Sequence, residues 1–441
     1  MKVDYLVAEI GSTTTLVTAL SFTNGCEIVG QGKAFTTVLD GDVTIGLKNA
    51  IKEIENAIGE SIKYKKMLAT SSAAGGLKIT VHGLVEDMTV KAAREAALGA
   101  GGIIKMVTSG KLRKSDLKKI KEISPNLIMI AGGTDYGERD TALCNSEIIK
   151  NENLNIPIVY CGNIANVEEV KEIFEGDELY IIDNVYPRVD EINVEPARKI
   201  IQKAFEKNIV KAPGMEQIRK MVDGAIMTTP GAVMEATKLL YENIGDLVVI
   251  DVGGATTDVH SVTEGSKEIL DMLVIPEPKA KRTVEGDLGV YINSQNLISN
   301  LNKDEKKGLT DVQILNNIKP IPESDEEKKW SSVLCKKAVE LAIKRHIGVI
   351  KRSYGSGKNF LAYGKDLSKV KYIIGTGGAL TRLPEGKKSL NMIKYIGSDL
   401  TMYPKEDAII LLDKFYIMAL AGVLSREDSE LASVLLRASL E

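Results

Sequence analysis

One short pattern is written twice in this chain, half its length apart. Residues 6–19 read LVAEIGSTTTLVTA, and residues 248–261 read VVIDVGGATTDVHS. Each copy is an apolar run, a carboxylate, a glycine-started turn, hydroxyl residues and a second β-prone run. Apolar runs joined by a short glycine turn predict a β-hairpin. Aligning Gly11 on Gly253 sets Glu9 opposite Asp251 and Thr14 opposite Thr256. A chain carrying two such hairpins is expected to fold as two similar α/β lobes.

The residue types in the turns point to phosphate chemistry. Glycine lets backbone N–H groups come close to an anion. The hydroxyls of Thr13, Thr14, Thr256 and Thr257 add donors. A carboxylate cannot attract phosphate, but it can hold hydrated Mg²⁺, which bridges to phosphates. Two such turns facing each other would clamp a polyphosphate from both sides. Gly11, Gly253 and Gly254 are the backbone candidates, and Glu9 and Asp251 are the metal and catalytic candidates.

A third glycine motif, IIGTGGAL at residues 373–380, follows a strand and precedes a helix. Gly375, Gly377 and Gly378 there would let the backbone pass close to a purine or its α-phosphate. It is not a dinucleotide fingerprint, because Leu380 stands where GxGxxG needs glycine. Gly355 to Lys358 fails as a phosphate loop of the GxxxxGK[ST] type, since Arg352 and Asn359 replace the required residues.

Between the hairpins the chain alternates apolar strands with helices from Leu127 onward, which predicts an α/β layer. Residues 302–330 are charged and read as a solvated excursion, followed by a helix from about Glu326 to Lys351. Lysine and arginine number 57 against 60 acids, so bulk positive charge for nucleic acid is absent. No run of about 18 apolar residues suggests a membrane span. The first residues lack the pattern of a signal peptide, and a cytoplasmic location is expected. Cys26, Cys144, Cys161 and Cys335 show no metal or redox spacing, and the three histidines form no ligand motif.

Hairpin, second hairpin, then GTGG near the C-terminus: this order resembles the actin, sugar-kinase and Hsp70 ATPase superfamily. Longer segments narrow the resemblance to the GlmL/MutL family of glutamate mutase accessory proteins, which is unrelated to the mismatch-repair protein of the same name. They are SSAAGGL from Ser71, VHGL from Val81, MTVKAAREAALGA from Met88, AGGTD from Ala131, DVGGATTDVH from Asp251 and PEPKAKRTVEGDLG from Pro276. The resemblance implies a two-lobed actin/Hsp70-like ATPase fold with a nucleotide cleft between the lobes, residues 1–245 and 246–441. The first lobe is enlarged from about residue 127, and the last helices pack back on it. It implies ATP and Mg²⁺ as ligands and subunits of an adenosylcobalamin mutase as partners, with neither nucleic acid nor membrane. The implied function is ATP-dependent reactivation: damaged cobalamin is released from glutamate mutase or an aminomutase.

One residue departs from the superfamily pattern. Its first turn usually opens with Asp, where this chain has Glu9. The longer arm still reaches a metal-bound water, and the base that activates water is open between Glu9 and Asp251. Glu285 lies between the second hairpin and GTGG, so it is placed either near ribose or base, or at a helix start capped by Thr283. A small-molecule kinase and a non-hydrolysing actin-like assembly protein are the rival functions on the same scaffold.

Overall fold

The first repeat forms its hairpin in full. Strands β1 (Lys2–Ile10) and β2 (Thr14–Ser21) pair antiparallel, with Glu9 opposite Leu16. β3 (Glu27–Phe35) adds to β2, and β4 (Lys63–Ser71) lies parallel to β1. Helix α1 (Val43–Ile58) crosses between them. Asp42 caps its first turn by accepting from Thr44 N–H at 2.9 Å, and Gly59 ends it at φ 84°. The computed structural model describes residues 1–22, 27–37, 41–72, 77–100, 102–209, 214–352, 360–395 and 402–441. Cys26 and the segments 73–76 and 355–358 lie outside them.

The chain then enters a second compact unit, Ala74–Ala212 together with Ile275–Pro278. Here β5 (Lys78–Gly83), β6 (Ile103–Ser109), β7 (Leu127–Ile130), β8 (Ile158–Tyr160) and β9 (Leu179–Ile181) form one parallel sheet in the order β6-β5-β7-β8-β9. The helices are α2 (Lys91–Gly99), α3 (Lys114–Ile123), α4 (Asp140–Asn151), α5 (Val167–Ile173) and α6 (Glu195–Ile209). The strand–helix alternation therefore starts at β5, well before Leu127. β5 escapes a hydropathy reading because Thr80 and His82 are polar and yet buried. His82 satisfies both ring nitrogens internally, with Thr108 Oγ1 at 2.8 Å and Thr80 Oγ1 at 3.0 Å. Burial holds its pKa down at about 4, so it stays neutral.

Met1–Ala73, Pro213–Val274 and Lys279–Glu441 form the first unit. After helix α7 (Met215–Met221), the short β10 (Met227–Thr228) pairs parallel with β4 and completes a sheet ordered β3-β2-β1-β4-β10. Helix α8 (Thr229–Ile244) starts at a Thr228 cap with Pro230 in its first turn. The second repeat then builds another five-stranded sheet. β11 (Leu247–Val252), β12 (Thr257–Val262) and β13 (Ala280–Glu285) run antiparallel in turn. A ribbon of β14 (Val349–Arg352) and β15 (Phe360–Tyr363) stands apart. β16 (Tyr372–Thr376) and β17 (Ile409–Leu412) add in parallel, giving β13-β12-β11-β16-β17. The two sheets thus share one wiring: antiparallel hairpin, third strand on the hairpin side, two parallel strands on the other. This is the actin/Hsp70-like ATPase fold, a mixed α/β duplication.

Helix α9 (Asp325–His346) begins with a Ser324–Glu327 capping box and ends on Lys344, Arg345 and His346, which complement its dipole. It stops five residues short of the expected Lys351. Gly348 leaves no room for a side chain there, since a Cβ would sit 2.0 Å from Met402 Cε and 2.3 Å from Tyr363 O. The chain's one tryptophan, Trp330, is buried on this helix and donates to Glu326 Oε1 at 2.9 Å. The last helices, α10 (Met418–Leu424) and α11 (Ser429–Ser439), join a core with α8, in which Gly422 meets the backbone of Ala232.

Candidate functional site

Both hairpin turns close with the same bond. Gly11 N–H donates to Thr14 O and Gly253 N–H to Thr256 O, each at 2.9 Å. The turns face each other: a Cβ built on Gly254 would lie 3.4 Å from Thr13 Oγ1. They border one cleft of about 260 Å³, inside the first unit. Glu9, Gly11, Thr13, Thr14, Asp251, Gly253, Gly254, Thr256 and Gly378 all line it.

Three of the sequence candidates lie elsewhere. Thr257 is buried in β12 and donates to Leu288 O at 2.7 Å. Gly375 is inside β16 against Leu390 and Leu412, where it serves packing. Glu285 ends a strand, not a helix, and accepts from Arg345 Nη1 at 2.6 Å. Gly377 acts at one remove from the cleft. Its φ is 85°, and a Cβ there would meet Asp251 Oδ1 at 2.4 Å. The missing side chain makes room for the carboxylate.

The carboxylates crowd one another. Withdrawal from solvent is the main reason that Glu9 is pushed up to about 7; Asp413 adds to the rise, while Tyr416 and Arg382 oppose it. Burial, then Asp258, then Glu9 raise Asp251 well above the carboxylate range, with Arg282 pulling the other way. Asp258 is paired directly across β12 from Asp251. Its Oδ2 accepts from the buried Arg282 at 3.2 Å, whereas its Oδ1 has no hydrogen-bond partner among the described residues. An orphaned buried carboxylate oxygen among repelling acids suits a cation or the water around one. Among the described residues no three metal-ligating side chains converge on one point.

Several cleft residues had no sequence signal. Lys33 on β3, Arg382 after β16, and Lys319 and Lys328 supply positive charge for an anion. The last two belong to the charged run at 302–330, part of which therefore lines the cleft instead of only facing solvent. Tyr416 reaches in from the β17–α10 connection. It has φ 52°, and its hydroxyl donates to Glu9 Oε1 at 3.0 Å. Asp413 fixes that connection by accepting from Thr376 Oγ1 at 2.9 Å and from the N–H groups of Ile417 and Met418 at 2.8 and 2.9 Å. Apart from Lys33, on the strand next to the first hairpin, none of these residues is near a hairpin in sequence, so only the folded chain reveals them.

The bond from Tyr416 lowers the Glu9 pKa, so its loss must raise it. Tyr416→Phe is expected to raise the pKa of Glu9 by about one pH unit, the size of a hydrogen bond to a charged group. An NMR titration of the carboxyl group checks this. An unchanged pKa would exclude a working contact between the two residues.

The model of the family described as MutL protein matches residues 5–440. The chain belongs to the MutL family. It is 37% identical to Protein MutL of Clostridium tetanomorphum over 445 residues, 96% of each chain. The solved structures it is similar to are remote. A nucleotide-free acetone carboxylase is 12% identical at TM-score 0.41, covering 96% of this chain and 70% of that one. A diol dehydratase-reactivating factor in nucleotide-free form is 11% identical at TM-score 0.39, covering 97% and 100%. Ligand-bound xylulose kinase of Lactobacillus acidophilus is 9% identical at TM-score 0.36, covering 100% and 92%. Among the described residues no helix of this MutL-family chain is long and apolar enough to cross a membrane.

Proposed function

We propose that this protein is an ATP-dependent reactivating chaperone of an adenosylcobalamin mutase, glutamate mutase or an aminomutase, working in the cytoplasm. The observation that carries the reading is that Glu9 and Asp251, one from each hairpin, line one cleft together with two turns that face each other. Membership of the MutL family, which the sequence resemblance links to glutamate mutase, supports a mutase as the client.

In this reading the Gly11 and Gly254 turns hold the polyphosphate from its two sides, and Lys33 and Arg382 offset its charge. Glu9 and Asp251 hold the water shell of Mg²⁺, and one of them activates the attacking water. Mg²⁺, when bound, neutralises phosphate charge in the transition state. The two lobes, residues 1–245 and 246–441, contribute one turn each. ATP therefore favours the arrangement in which both turns reach it, and hydrolysis removes that preference. Force of this kind, applied to a mutase, loosens it enough for an inert cobalamin to leave.

The test uses mutase blocked with cyanocobalamin. Turnover is expected to return only when this protein, ATP, Mg²⁺ and fresh adenosylcobalamin are all present. Equal recovery without ATP would exclude the mechanism, and rapid ATP-dependent phosphorylation of a sugar or short acid would favour a kinase instead.

A further inference from the structure

The second unit carries an apolar patch that none of the chemistry above uses. β7, β8 and β9 are neighbours and parallel, so the loops that follow them emerge at one end of the sheet. Tyr136, Ile164 and Val189 stand out from these three loops, 83%, 51% and 68% exposed.

The loops are bonded into one block. Asp135 Oδ1 accepts from Ile164 N–H and from Asn184 Nδ2, both at 3.0 Å. Asn163 Oδ1 accepts from Tyr136 N–H at 2.9 Å, and Asp135 N–H donates to Pro187 O at 2.9 Å. Asn163 and Asn184 are themselves buried. Tyr136 has φ 61°, a left-handed conformation that a bulky side chain rarely adopts. Its ring gains no burial in return. A strained, rigid backbone that holds an aromatic ring out into water does nothing for folding and everything for pre-organised contact. The patch is a set of knobs, not a hollow, which suits a protein surface better than a small molecule. The same loops expose Glu138, Asp183, Asp190 and Glu191 against Arg139 and Arg188, and Arg139 is already bound to Glu169. The rim is acidic.

We infer that the ends of β7, β8 and β9 form the docking face for the client mutase, and that this face meets an apolar mutase surface ringed by lysines and arginines. The inference rests on the function proposed above and names where the partner binds.

The test is binding of purified glutamate mutase, and of an aminomutase, to the full chain by calorimetry with and without ATP. The double variant Tyr136→Asn/Val189→Ser removes two knobs, and asparagine tolerates the left-handed backbone. It is expected to weaken the complex at least tenfold, with ATP binding unchanged. Glu191→Lys is expected to slow association several-fold and flatten its salt dependence. If the wild type binds a mutase and both variants bind it equally well, the docking face is wrong while the chaperone reading stands. If the wild type binds neither mutase in either nucleotide state, the chaperone reading fails and takes this inference with it. If the double variant changes only self-association in light scattering, the occupant is a second copy and the inference is overturned.

Discussion

Asp251→Asn is expected to lower Mg²⁺-dependent ATP hydrolysis by roughly 100-fold or more, the range seen when a group that stabilises transition-state charge is lost. The same change should make the ligand-free protein more stable. Asp251 is raised by burial, by Asp258 and by Glu9, so an uncharged isostere relieves repulsion that the folded chain otherwise carries. The two effects have opposite signs, and that makes the experiment decisive. A variant that is merely damaged would lose both activity and stability. Phosphate release with and without Mg²⁺, measured beside a melting curve, separates the cases. Undiminished turnover would remove Asp251 from the proposed chemistry.

Gly422→Ala is expected to destabilise the first unit by about 3 kcal/mol, the upper end for overpacking a close contact. Gly422 on α10 lies so near α8 that a Cβ would fall 1.8 Å from Ala232 O and 2.4 Å from its carbonyl carbon. Those are backbone atoms inside a helix, and no rotamer change can move them aside. At about 2.1 cal/mol/K of unfolding entropy per residue, a unit of about 300 residues loses roughly 1.6 °C per kcal/mol, so the melting temperature should fall by roughly 5 °C. Thermal denaturation checks it. A shift within a degree would mean that the two helices separate at no cost.

Much of the architecture was legible because it was written twice. The hairpins at Gly11 and Gly253 predict two similar α/β lobes, and the two sheets that contain them have the same strand order. The same repeat singles out Glu9 and Asp251, which both line the cleft. β5 and β6 were not legible, because Thr80, His82 and Lys105 interrupt the apolar pattern that a buried parallel strand usually shows. Glu285 was read as a helix start or a ribose contact, and it is a strand end bonded to Arg345, a partner 60 residues away. Lys33, Arg382 and Tyr416 were illegible for the same kind of reason. Each is an ordinary surface-type residue in its local sequence, and its role comes only from where β3, β16 and the β17–α10 connection bring it.

The twofold wiring of the first unit has a mechanical corollary. One acid and one glycine turn come from each copy, so neither copy holds a complete ligand cradle. In the proposed reading, affinity for the nucleotide depends on the spacing of the two copies, and widening that spacing weakens it. By reciprocity, whatever strains one copy from outside is felt at the ligand, and whatever fills the cradle pulls on the outside.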